Sequence, residues 1–161
     1  MVNWVLVVVI AGIVLTGYLV VSSDDGCGCH TTVQFRSPEI STRQSGEDII
    51  WDATIRINKM TPKDEDIPWA KVKVSLKASD GSILNERTNL HRYDPSAVTD
   101  GGTDSADVQF WFEDSIWKPK VGAGDNIVVT GMNDEQYEGA LVQLLYEGKI
   151  IGDTTLPTDF P

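Results

Sequence analysis

The sequence predicts an all-β, antiparallel β-sandwich of immunoglobulin-like or jelly-roll type, preceded by one N-terminal hydrophobic α-helix. Three observations carry that expectation. Residues 1–23 hold no charged side chain. Beyond residue 30 the apolar residues fall in short blocks rich in Val, Ile, Thr and aromatics, and clusters of Gly, Pro, Asn and Asp separate those blocks. The organisation expected is therefore residues 1–23 as a transmembrane or filament-core helix, 24–30 as a Gly/Cys linker, and 31–161 as an exterior sandwich domain.

The first element is apolar from Trp4 to Val21 apart from Gly12, Thr16 and Gly17. As a helix that run covers most of a hydrocarbon core about 30 Å thick. Lipid offers no partner to backbone N–H and C=O groups, so a single-pass span has to be helical despite its many β-branched residues. Trp4 and Tyr18 fall near the two ends, where amphipathic rings favour the interface. A cleaved signal peptide would begin with basic residues, and Met1-Val2-Asn3-Trp4 has none, so an anchor is the expectation. Ser22-Ser23-Asp24-Asp25 provides no basic retention signal, and the domain is expected outside the membrane. Gly12 and Thr16, four residues apart, share one helical face and would let a second helix approach closely.

The linker holds both cysteines and one of the two histidines, in Gly26-Cys27-Gly28-Cys29-His30. Haem attachment of c type needs two residues between the cysteines, and only one stands here. Cys27, Cys29 and His30 would supply three ligands to zinc, but a tetrahedral site needs a fourth, and His91 is far along the chain. In an oxidising exterior the cysteines could instead form a disulfide, although closure between positions two apart is strained. A structural role at the linker is expected, with disulfide and metal as alternatives.

Candidate strands in the domain are Thr31 to Arg36, Ile49 to Ile57, Ala70 to Ala78, Ile83 to Leu90, Ala106 to Glu113, Asn126 to Gly131, Ala140 to Tyr146 and Lys149 to Leu156. Val72, Val74 and Leu76 alternate with Lys71, Lys73, Ser75 and Lys77, as one dry face and one wet face require. Val108, Phe110 and Phe112 alternate with Asp107, Gln109, Trp111 and Glu113 in the same way. Ser79-Asp80-Gly81-Ser82 and Glu147-Gly148 read as tight turns, and Lys63-Asp64-Glu65-Asp66 as a charged turn before Pro68. Tyr137, Leu141, Leu144 and Leu145 also fit a helical period, but Gly139 would interrupt that helix, and a strand is favoured. Roughly eight strands in about 130 residues suit two packed antiparallel sheets.

Function classes narrow by charge and by missing motifs. With 24 acidic and 13 basic residues the net charge is −11, which is unsuited to a phosphate backbone, so no nucleic-acid partner is expected. Asp94, Asp100, Asp104 and Asp107 cluster in and after the longest loop; a solvated acidic loop is expected, with calcium as the alternative, since Ca²⁺ takes several oxygen ligands. Neither His30 nor His91 lies in a nucleophile motif, and Gly122-Ala123-Gly124 is better explained as a turn than as a phosphate cradle. No enzymatic activity and no required cofactor are expected.

The stretches Val121-Gly122-Ala123-Gly124-Asp125-Asn126-Ile127-Val128-Val129-Thr130-Gly131, Tyr137 to Tyr146 and Gly148-Lys149-Ile150-Ile151-Gly152 resemble the end of archaeal type IV pilins and archaellin-like proteins. In that family a Gly-Asp turn opens a strand and a last hairpin closes the sandwich; an apolar helix followed directly by a sandwich is also similar. The resemblance implies a homo-oligomeric filament, with helices in its core and sandwiches outside. It also implies a basic leader removed ahead of the apolar stretch, so that Met1 is expected either to be a mature end or to belong to a chain that is no processed pilin. The alternative is a single-pass membrane-anchored surface, envelope or virion protein. The partners expected are thus the membrane and copies of the chain itself, or other envelope proteins.

Overall fold

The computed structural model describes residues 31–63, 65–98, 108–115 and 119–161. The helix expected over 1–23, with Gly12 and Thr16, lies outside them, and among the described residues no helix is long and apolar enough to cross a membrane.

Among the described residues ten strands form two sheets: β1 (Thr32–Phe35), β2 (Glu39–Ser45), β3 (Asp48–Thr61), β4 (Val72–Lys77), β5 (Ile83–Thr88), β6 (His91–Arg92), β7 (Gln109–Glu113), β8 (Asn126–Met132), β9 (Leu141–Tyr146) and β10 (Lys149–Thr155). One sheet runs β1-β3-β8-β7-β6, with β2 also on β3; the other runs β10-β9-β4-β5. Every pairing is antiparallel except β6 with β7, which is parallel. The all-β expectation therefore holds for the domain. Side chains of both sheets share one core, in which Ala53, Ile55 and Ile57 of β3 and Ile127 and Val129 of β8 join Val72, Val74 and Leu76 of β4 and Val142 and Leu144 of β9.

Three differences from the expected strands have local causes. Glu39–Ser45 is a further strand whose only apolar side chain is Ile40, so its place rests on the seven-residue ladder from Glu39↔Thr54 to Ser45↔Asp48, which a hydrophobic pattern does not reveal. β3 is longer than Ile49 to Ile57, because its first residues pair with β2 and its last with β1. The strand expected over Ile83 to Leu90 stops at Thr88; Asn89 turns the chain with φ +55°, and Leu90 drops into the core. The ambiguous stretch is strand from Leu141, preceded by a 3₁₀ turn over Glu135–Tyr137. The Glu147-Gly148 turn has φ values of +50° and +77°, the left-handed pair that matches the twist of a two-residue hairpin.

Chain entry and exit lie at opposite ends of the sandwich. Thr32 pairs with Thr61 at the end of β3, whereas the Pro161 carbonyl accepts a hydrogen bond from Trp51 Nε1 (3.3 Å) near its start. Ten residues of strand separate these points, about 30 Å at the usual rise. Phe160 packs on the Trp51 ring at 5.2 Å and so fixes the exit.

β10 passes close against β1 at Gly152. A Cβ added at Gly152 would lie 2.6 Å from the Val33 carbonyl oxygen and 3.0 Å from Val33 Cβ, so only glycine fits there without moving backbone. Gly152→Ala is expected to cost about 1–3 kcal/mol through overpacking, read as a lower thermal midpoint. A wild-type midpoint would show that β1 moves aside freely.

Candidate functional site

The turn Gly122-Ala123-Gly124-Asp125 is clamped to the sheet from both sides. Gly124 N–H donates to Ile57 O (2.8 Å) and Ile57 N–H donates to Asp125 O (2.8 Å), which ties the turn to β3. Gly124 sits at φ +99°, where a side chain would be strained. Asp125 is buried, and its Oδ1 accepts from Ser115 N (2.9 Å) and Ser115 Oγ (2.9 Å), while Oδ2 accepts from Gly122 N (2.8 Å). Burial pushes this carboxyl above its ordinary range, with Asp114 adding to the rise, although the three donors pull the other way. The carboxylate thus joins the chain after β7 to the chain before β8. Its role is structural.

Beside it opens a polar cleft of about 330 Å³, lined by Arg56, Arg92, Glu113, Asp114, Ser115, Gly124 and Asn126. Within it Asn126 Nδ2 donates to Glu113 Oε2 (2.7 Å). Cation and anion counts balance here, which suits reciprocal pairing more than capture of one charged ligand.

Across the outer face of the same sheet, Trp111 stands half-buried opposite Val128. Its Nε1 donates to Thr130 Oγ1 (3.2 Å), and the Tyr93 ring meets it edge-on at 6.2 Å. His91 is exposed on β6 and lines a cavity of about 70 Å³ with Arg87, Gln109, Phe110 and Trp111, room for little more than water.

The outer face of the four-stranded sheet mixes apolar and charged side chains. Cross-strand partners place Ile150, Asp153 and Thr155 of β10 beside Leu145, Gln143 and Leu141 of β9, followed by Lys73, Ser75 and Lys77 of β4. Thr88, Glu86 and Ile83 of β5 complete it. Ile83 and Ile150 are 58% and 52% exposed, two of the large apolar side chains that face solvent. Lys73 pairs with Glu86 at 2.9 Å. The wet face expected for β4 is dry at its centre: Ser75 and Gln143 are buried, and Ser75 Oγ and Gln143 Oε1 meet no hydrogen-bond partner among the described residues. Strand alternation gives their direction; only the sheet register shows that they are neighbours.

Of the residues singled out by sequence, Asp94 is described. It caps the short turn Pro95–Ala97, its Oδ1 accepting from Ser96 N (2.9 Å) and Ser96 Oγ (2.7 Å), and these bonds hold its pKa below the ordinary range. Asp100, Asp104 and Asp107, like Cys27, Cys29 and His30, lie outside the described residues. Among the described residues no three metal-ligating side chains come together. No protein-family model matches the chain, and no curated protein or solved structure matches it either.

Proposed function

We propose that the chain is a non-enzymatic structural subunit of a cell-surface assembly, a pilus- or archaellum-like filament with residues 1–23 packed against those of other copies and the sandwich outside. One observation carries this reading. An uncharged, apolar segment ends a few residues before a β-domain that the chain enters at one end and leaves at the other. Copies held by that segment would stand with their far ends, near Glu47, Asp48, Asp134, Glu135 and Asp159, exposed to water. The sheet order supports an immunoglobulin-like arrangement: β3 and β8 share one sheet and β4 and β9 the other, and the chain crosses between sheets from β3 to β4 and from β8 to β9.

Electron microscopy of the intact, detergent-free assembly tests the proposal. Long fibres are expected. Vesicles studded with single domains would replace the filament with the membrane-anchored surface, envelope or virion protein. This role requires no metal, and a chelator is expected to leave the melting temperature unchanged; a fall would mark an ion held by the acidic 94–107 loop.

A further inference from the structure

No further inference is drawn: the strongest candidate, the outer edge of β2 with the cleft of about 300 Å³ beside it lined by Thr42, Arg43, Gln44, Ile49 and Pro161, is a strand edge left unpartnered among the described residues, and nothing in the structure shows what covers it.

Discussion

Trp69→Ala is expected to lower the stability of the sandwich by about 3–5 kcal/mol, the usual range for truncating a fully buried large aromatic. For a domain of this size that is a fall of about 10–20 °C in the midpoint of thermal unfolding, followed by far-UV circular dichroism of the full chain. The indole is 1% exposed and lies stacked on Phe112 of β7, with ring centroids 5.2 Å apart and planes 8° from parallel. It belongs to the segment that crosses from β3 to β4, and its backbone N–H donates to Pro119 O (3.1 Å), so one residue ties the crossing, the β7 core and the chain ahead of β8 together. Its Nε1 is buried without a partner among the described residues. Trp69→Phe removes that N–H while keeping a ring on Phe112, so its cost should be well below that of alanine. A loss under about 1 kcal/mol for alanine would mean that the crossing collapses to fill the space, and that the stacked pair contributes little.

The same residues mark how far the sequence could be read. Alternation in Val72, Val74 and Leu76, and in Val108, Phe110 and Phe112, identified core-facing side chains correctly, because a strand with one dry face has a period of two that survives any tertiary arrangement. The turns at Gly81 and Glu147-Gly148 were legible for an equally local reason: the backbone there takes positive φ, which few residue types accept. β2 was not legible, since a polar edge strand is held by its ladder to β3 and carries little hydrophobic pattern. Nor was the outer face of the four-stranded sheet. Ile150, Leu145, Asp153 and Lys77 come from three strands, and only the register brings them to one surface. Asp125 was half legible: Gly122-Ala123-Gly124 announced a turn, but the partner that gives the carboxylate its role, Ser115, stands ten residues earlier with no local signal.

Asp125→Ala should be the other severe substitution. It removes the acceptor of three hydrogen bonds, from Ser115 N, Ser115 Oγ and Gly122 N, each worth about 0.5–1.5 kcal/mol net where water can reach the freed donor, as at exposed Ser115 and half-buried Gly122. A total of about 2–3 kcal/mol is expected, with the chain after β7 released from the turn while the backbone bonds to β3 remain. Asp125→Asn keeps the size but turns an N–H group towards at least one donor, and is expected to fall between alanine and wild type. Its pH dependence separates the effects of burial and hydrogen bonding. Burial raises the folded carboxyl above its ordinary 3.8, so the folded state holds this proton more tightly than the unfolded chain does. The stabilisation from this titration is complete below about 3.8 and is lost as the pH rises through the raised folded value. The advantage of wild type over Asp125→Asn should therefore be greatest near pH 3 and shrink towards neutrality. Were that advantage to grow with pH instead, the three donors would outweigh desolvation, and the carboxylate would be an anion that the fold selects.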